Sequence, residues 1–309
     1  MGEEIPRRRL GLALGSGAAR GLAHIGVIRA LSEAGIRIDL ITGTSIGAFI
    51  GAAFACGTLE KLAQSFLSFD WKRIIALLDP VLPRSGLIDG QRVAAFVSAH
   101  CPGQLEGFSI PFSAVAADVL TGAEVVMSAG DATEAIRASM AVPGFLTPVR
   151  RGERILVDGG LVNPVPVSIA RAMGAEAVIA VDLNHDVIDH RLRRVHKSAA
   201  ARAIRPAGGH LLDALRASTH PAAAQLLAWL ERQPLPGMLD VLISSLYILQ
   251  AQVSKATLAS DPPDLLICPD VGTIQFLEFD RGREIIEAGY RAAKEALVTW
   301  RQTRPQPAG

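Results

Sequence analysis

A strand, a turn and a helix follow one another twice within the first sixty residues of this chain. Residues 9–14, which are apolar after Arg9, predict a buried strand, and a glycine-rich turn and a helical pattern over residues 22–34 come after them. Residues 38–44 predict a second strand, and the small and apolar side chains of residues 46–56 suit a helix packed in the interior. Because strands that alternate with helices usually form parallel sheets, the pattern predicts an α/β fold with a mostly parallel central sheet.

The rest of the chain predicts more strands and two flanking segments. Four further strands are expected over residues 112–117, 124–127, 154–157 and 177–183. Asp131 followed by Glu134 has the spacing of a helical capping box. We expect a basic tail at 1–9, a catalytic domain at 10–185 with a cap or insertion at 59–111, and a C-terminal helical and mixed extension at 186–309 that packs on the core. The local basic excess of this extension, typical of a solvated face, comes from Arg191, Arg193, Arg194 and Lys197.

The charge balance and the cysteines exclude several classes of protein. The chain has 31 Lys and Arg residues against 30 Asp and Glu, so no overall field draws it to nucleic acid. Its three cysteines lie far apart without metal-site spacing, which argues against a disulfide framework or a zinc site and fits a reducing cytoplasm. The longest apolar run, residues 46–57, is shorter than the roughly 18 residues of a membrane span. We therefore expect a cytoplasmic protein whose contact with the inner face of the membrane is at most peripheral.

The sequence Gly43-Thr44-Ser45-Ile46-Gly47 is a G-x-S-x-G motif at the junction of the second predicted strand and a helix. A nucleophile elbow requires this position, because small flanking residues let the serine project from a strained turn. The helix that follows would direct its N-terminal dipole at a developing oxyanion. Ser45 is therefore the candidate nucleophile, and Gly43 and Gly47 are the elbow glycines.

A second glycine-rich turn, LGSGAARG over residues 14–21, follows the first predicted strand. One interpretation is a phosphate loop for a dinucleotide, but Arg20 occupies the place of the third glycine in G-x-G-x-x-G. The other is an oxyanion loop, whose backbone N–H groups face a tetrahedral intermediate while Arg20 fixes the loop or adds positive potential. The loop by itself leaves both interpretations open.

The third motif, Asp158-Gly159-Gly160, directly follows an apolar strand that ends at Val157. By itself this motif is typical of a turn, but an acid at the carboxyl end of a strand faces the crevice in which α/β proteins bind ligands. Together the three motifs bring a nucleophile, oxyanion donors and a base to three strand ends of one sheet. That combination is typical of acyl transfer.

Over most of its length the sequence resembles the bacterial patatin-like phospholipases, which carry a PNPLA domain, and among them the RssA-type branch. The similarity covers about residues 10–183 through LGLALGSGAARGLAHIGVIRAL, ITGTSIGA, AADVLTG, IRASMAVPGFLTPV, LVDGGLVNPVPV and AVIAVDL. The sequences DPPDLLICPDVG and GREIIEAGY extend it into the C-terminal part.

The resemblance implies a three-layer α/β/α fold and a hydrolase of lipid or phospholipid acyl esters with a Ser/Asp dyad in place of a triad. Ser45 would attack the carbonyl and form an acyl-enzyme, Asp158 would accept its proton, and no metal or organic cofactor would be needed. The matching oxyanion loop consists of Ser16, Gly17, Ala18, Arg20 and Gly21. Ser16 and Ala18 interrupt the glycine run of the family, and a Cβ there costs about 1 kcal/mol if φ must be positive.

Three alternatives stay open at this point. A catalytic triad would need a histidine, for which His185 after the last core strand is the best candidate, whereas His24 in the first helix is typical of a loop-bracing residue. An NAD(P)-binding oxidoreductase would need an acid at the end of the second strand, but Asp39 precedes that strand. A non-catalytic scaffold or regulatory protein would keep the fold without the activity. The expected partner is a lipid or acyl-ester substrate and no nucleic acid, and the sequence identifies no protein partner.

Overall fold

The computed structural model describes residues 8–70, 73, 86–185 and 238–303. The helices bounded within these ranges are α1 (Ala23–Glu33), α2 (Ile46–Ala55), α3 (Leu59–Leu67), α4 (Gln91–His100), α5 (Ala132–Ser139), α6 (Val167–Ala172), α7 (Met238–Ser260) and α8 (Gly282–Thr303). The strands are β1 (Leu10–Leu14), β2 (Leu40–Thr44), β3 (Gly86–Ile88), β4 (Phe112–Asp118), β5 (Glu124–Met127), β6 (Gly144–Leu146), β7 (Val149–Arg151), β8 (Arg154–Asp158), β9 (Ala177–Val181) and β10 (Leu265–Ile267). The two predicted strand, turn and helix units are confirmed as β1 with α1 and β2 with α2.

A mostly parallel sheet forms the centre of the molecule, as predicted. Its strand order is β10-β9-β1-β2-β4-β8-β7, and β5 pairs with β4. The five strands from β10 to β4 are parallel, whereas β8, β7 and β5 pair in antiparallel fashion. β3 and β6 form a separate parallel pair. The carboxyl ends of β1, β2 and β4 therefore meet at one edge of the sheet, which is where two of the three motifs lie.

Side chains on the central strands alternate between two cores. Leu12 and Leu14 pack in the larger core on one face of the sheet, while Ala13 between them packs on the other face with Val167 and Ala170 of α6. An alternation with a period of two residues is that of a strand buried on both faces. Helices thus cover both faces, and the chain has the three-layer α/β/α architecture.

The C-terminal part of the chain adds to this core. β10 extends the sheet beside β9, and α8 packs along α1. A Cβ on Gly26 of α1 would lie only 1.9 Å from the Ile286 carbonyl oxygen of α8, so the glycine permits this close approach. The domain boundary expected near residue 185 stays a prediction. Residues 186–237, with the four basic residues named above, and residues 71–72 and 74–85 of the predicted insertion lie outside the described ranges.

The helix that leads toward the site begins as predicted. Asp131 caps α5, and its carboxylate accepts the backbone N–H of Glu134 (2.8 Å). This bond satisfies a donor that the first turn of a helix leaves free, so the capping interaction is confirmed. Among the helices within the described ranges, none is both long enough and apolar enough to span a bilayer.

Candidate active site

Ser45 lies at a sharp turn between β2 and α2. Its backbone has φ 58° and ψ −125°, an unusual conformation for a residue with a side chain. The turn is possible because the two glycines of the motif lack side chains. A Cβ on Gly47 would lie 2.3 Å from the Leu14 carbonyl oxygen, and a Cβ on Gly43 would lie 2.5 Å from the Gly47 carbonyl oxygen. The two glycines of G-x-S-x-G therefore let the strand and helix close on β1 while Ser45 projects from the turn.

The Ser45 hydroxyl donates a hydrogen bond to Asp158 Oδ2 at 2.5 Å. Asp158 is the last residue of β8, and its other carboxylate oxygen accepts the Gly160 N–H at 2.7 Å. Both side chains are almost fully buried, Ser45 at 6% and Asp158 at 1% exposure. The structure thus brings together two residues that are 113 positions apart in the sequence.

Burial changes the acidity of Asp158. Removal from water raises the pKa of its carboxyl from an ordinary 3.8 to about 6, although the hydrogen bonds from Ser45 and Gly160 lower it. A carboxylate with such a pKa is a stronger base than an exposed one and is still ionised at neutral pH. The Ser45 hydroxyl therefore faces a carboxylate suited to accept its proton.

The last residue of α5 and the segment that follows this helix hold the backbones of both residues. Ser139 Oγ accepts the Ser45 N–H at 2.8 Å and donates to the Val115 carbonyl oxygen at 2.6 Å, and the Ala141 carbonyl oxygen accepts the Asp158 N–H at 2.9 Å. Ser139 is fully buried. Sequence reasoning assigned no role to Ser139 or Ala141. The signal available was the stretch IRASMAVPGFLTPV, which contains them and carries part of the family resemblance.

The glycine-rich loop presents fewer free donors than its sequence suggests. The Ser16 N–H is bonded to the Pro164 carbonyl oxygen at 2.9 Å, so this residue does not offer its backbone donor to a ligand. Gly17 and Ala18 line the cavity beside Ser45, and neither N–H has a partner among the described residues. Ala18 has φ 51°, a left-handed conformation that favours glycine. Its Cβ therefore adds the steric strain expected where alanine interrupts the glycine run. Of the loop residues expected to supply oxyanion donors, Gly17 and Ala18 are therefore the two that line the cavity with a free N–H group.

Arg20 and Gly21 support the loop from behind. Arg20 is completely buried, its guanidinium donates to Asn184 Oδ1 at 2.8 Å, and its Cζ lies 4.3 Å from the centre of the Tyr247 ring. A Cβ on Gly21 would lie 2.2 Å from the Ile46 side chain, so this glycine lets the loop pack against the start of α2. Neither residue lines the cavity. Both therefore act on the loop and not directly on a bound ligand.

An apolar cavity of about 130 Å³ opens beside Ser45 and Asp158. Aromatic rings make up much of its wall, namely Phe49, Phe66, Phe69, Phe96, Phe145, Phe276 and Phe279. Three of these rings belong to the segment 59–111, which was predicted as a substrate-shaping insertion. Helix α7 lines another side with Ile243, Leu246, Tyr247 and Gln250, none of which the sequence had indicated. Such a wall suits an aliphatic chain.

The histidines proposed for a triad lie elsewhere. His24 is buried in α1, where its Nε2 is 2.8 Å from the Gly15 carbonyl oxygen and burial lowers its pKa to about 4. It braces the loop, in agreement with the loop-bracing interpretation. His185 is exposed. Neither histidine lines the cavity, whose described wall contains no imidazole.

The position of Asp39 bears on the dinucleotide interpretation. Asp39 precedes β2, and its carboxylate accepts the Leu10 N–H at 2.9 Å. It therefore joins β1 and β2 at the edge of the sheet opposite Ser45. An acid at this edge could not reach the ribose of a dinucleotide whose phosphates lay at residues 14–21. Within the described ranges, no group of three or more His, Cys, Asp or Glu side chains is arranged to hold a metal ion.

The chain is similar in sequence to several known proteins. A family model described as Patatin-like phospholipase matches residues 12–171. An uncharacterized NTE family protein of Mycobacterium tuberculosis is 35% identical over 94% of this chain and 91% of its own length. The patatin-like phospholipase domain-containing protein 6 of Homo sapiens is 30% identical over 94% of this chain, which spans 20% of that protein.

A solved structure completes the comparison. VipD from Legionella pneumophila aligns with a TM-score of 0.44 at 13% identity and covers 95% of this chain and 67% of its own. The mycobacterial relatives carry the NTE family name, and the finer assignment to the RssA-type branch stays a prediction.

Proposed function

The chain belongs to the patatin-like phospholipase family, and from this premise we propose that it is a serine hydrolase of lipid or phospholipid acyl esters that acts through Ser45 and Asp158. The observation that carries the proposal is the 2.5 Å hydrogen bond from Ser45 Oγ to Asp158 Oδ2 at the wall of an apolar cavity. Nucleophile, base and binding space for an acyl chain coincide at this place.

In the proposed first step, Ser45 Oγ attacks the ester carbonyl while its proton passes to Asp158. The carbonyl oxygen becomes an oxyanion, which accepts hydrogen bonds from the N–H groups of Gly17 and Ala18. The bond from the carbonyl carbon to the alcohol oxygen then breaks, and the alcohol leaves with the proton from Asp158. Preformed donors in a site shielded from water stabilise such a charge strongly, because no solvent has to reorganise.

In the second step, water replaces the alcohol. Asp158 accepts a proton from the water, whose oxygen attacks the acyl carbon on Ser45, and the same two N–H groups stabilise the second oxyanion. Ser45 leaves with the proton, and the fatty acid is released. A carboxylate can serve in both steps because its raised pKa, about 6, lies near neutral pH.

The cavity selects for an aliphatic acyl group. Each methylene that leaves water for an apolar wall contributes about 0.8 kcal/mol. Because the wall of the cavity is mainly apolar, we expect kcat/KM to rise with acyl length until the cavity is filled. Short acyl esters would react, but less efficiently.

Labelling with a fluorophosphonate probe tests the proposal. The wild type should be labelled at Ser45, and Ser45→Ala should lose both the label and ester hydrolysis while keeping its circular dichroism spectrum. Asp158→Asn should lose most of the hydrolysis by the same reasoning, a drop of several orders of magnitude. Ser68→Ala, a change at an exposed serine of similar chemistry, is the control and should behave as the wild type. Absence of labelling in folded wild-type protein would support a non-catalytic scaffold instead.

A further inference from the structure

A chain of buried hydrogen bonds connects the loop to helix α7. Arg20 Nη2 donates to Asn184 Oδ1 (2.8 Å), Asn184 Nδ2 donates to Ser16 Oγ (3.2 Å), and Ser16 Oγ donates to Gln250 Oε1 (3.2 Å). All four side chains are more than nine-tenths buried. This series of hydrogen bonds joins residues as far as 234 positions apart in the sequence, and it ends on the side of the cavity that α7 forms.

Arg20 determines which atom donates and which accepts at each hydrogen bond of this series. A guanidinium can only donate, so the oxygen of the Asn184 amide must face Arg20 and its nitrogen must face Ser16. Ser16 Oγ accepts from that nitrogen and directs its own proton to Gln250. The oxygen of the Gln250 amide is thereby occupied, and its nitrogen, Nε2, points the other way.

Gln250 Nε2 and the carboxylate of Asp158 border the same space at Gly160. The position that a Cβ on Gly160 would take is 2.4 Å from Gln250 Nε2 and 2.9 Å from Asp158 Oδ1, so both atoms face the place where a side chain is missing. The absence of a side chain at Gly160 makes room for the amide. Gln250 lines the cavity, and its Nε2 has no acceptor among the described residues. A hydrogen-bond donor therefore stands beside Asp158 in a wall that is otherwise mainly apolar.

The reaction brings one substrate atom to this place. During acylation the oxygen of the leaving alcohol receives the proton from Asp158, so it must lie within hydrogen-bond distance of that carboxylate. The acyl chain, in contrast, extends along the phenylalanines. A donor next to Asp158 consequently faces the alcohol half of the ester and not its acyl half.

We propose that Gln250 contacts the substrate and donates a hydrogen bond from Nε2 to the oxygen of the leaving alcohol, which favours esters of aliphatic alcohols over esters with a better leaving group. The inference rests on the proposed function and adds to it a residue that contacts the leaving alcohol. The order of hydrogen bonds that begins at Arg20 leaves Nε2 of Gln250 as a donor. A donor suits an alcohol oxygen that gains negative charge as the ester bond breaks.

Two esters with the same acyl chain test the proposal, a 1-monoacylglycerol and a p-nitrophenyl ester. The p-nitrophenolate ion leaves without taking a proton, and because its charge is delocalised it depends little on a hydrogen bond to the leaving oxygen. Gln250→Leu should lower kcat/KM for the monoacylglycerol at least tenfold more than for the p-nitrophenyl ester, because one hydrogen bond to a charged or polar group is lost. Gln252→Leu, at an exposed glutamine of the same helix, is the matched control and should leave the ratio of the two rates unchanged.

Two further variants separate contact with substrate from support of the loop. Gln250→Glu keeps an acceptor for Ser16 and offers no donor once the new carboxyl is ionised, so at alkaline pH it should also lose the preference for the glyceryl ester. Ser16→Ala breaks the chain but leaves Nε2 in place, and it should lower both rates together. An equal fall on both esters in a folded Gln250→Leu protein would overturn the inference and assign Gln250 to loop support. A wild type that hydrolyses neither ester would contradict the proposed function instead.

Discussion

Replacing Asp158 with asparagine removes a buried negative charge while keeping the shape of the side chain. Burial raises the pKa of Asp158 from 3.8 to about 6. Because the folded-state pKa lies above the unfolded one, the folded protein retains the proton between these values while the unfolded chain has released it. The free energy of unfolding of the wild type should therefore fall as the pH rises through this window and stay level above it. The size of the fall is about 3 kcal/mol, at about 1.4 kcal/mol for each pH unit.

Urea denaturation of both proteins at several values between about pH 4 and pH 8 measures this effect. The difference between wild type and Asp158→Asn isolates the one carboxyl, because the others titrate in both proteins. We expect the free energy of unfolding of the variant to rise by about 3 kcal/mol relative to that of the wild type between about pH 4 and pH 7. The m-values of the two proteins should be similar. A difference that is independent of pH, or that changes in favour of the wild type as the pH rises, would refute the argument. It would mean that the hydrogen bonds from Ser45 and Gly160 outweigh the cost of burial.

Four further variants probe residues outside the proposed dyad. Ser139→Ala should lower kcat about tenfold to a hundredfold with little effect on KM, because the Ser45 N–H loses its acceptor while the cavity is unchanged; an unaltered rate of fluorophosphonate labelling would contradict this positioning role. Arg20→Ala should lower kcat by about 10²–10³-fold, since it releases the oxyanion loop, and a change confined to KM would mark Arg20 as a binding residue. His24→Ala and His185→Ala should each keep kcat/KM within about tenfold on a chromogenic short-chain ester, with circular dichroism as the check of folding. A loss beyond about a thousandfold in folded His185→Ala would make a histidine the base.

Local patterns in the sequence were sufficient for the central elements of the fold. Apolar runs of strand length, each followed by a turn and a helix, predicted β1 with α1 and β2 with α2, and Asp131 with Glu134 predicted the start of α5. Such features depend on neighbours a few residues apart, whose spacing is visible in the chain itself.

The two residues of the dyad were predicted for different reasons. Ser45 stands in a motif whose glycines are required by close backbone contacts, and these contacts lie within the turn and the adjoining strand. Asp158 was less certain from the residues alone, because an acid before two glycines is also typical of a plain turn. Its position at the end of a strand, together with the family resemblance, selected it. The 2.5 Å separation from Ser45 arises from the pairing of β4 with both β2 and β8.

The sequence by itself determined the α/β class, the nucleophile elbow and the candidate base, because these follow from periodicity and from short motifs. Only the tertiary structure decided which N–H groups of the loop are free, since the Ser16 donor is taken by Pro164, almost 150 residues away in the chain. The same holds for Gln250, which comes from a helix with no motif and reaches the site through packing against Ser16 and Gly160. Hydrogen-bond partners across such distances depend on how the layers stack, and stacking depends on the whole core.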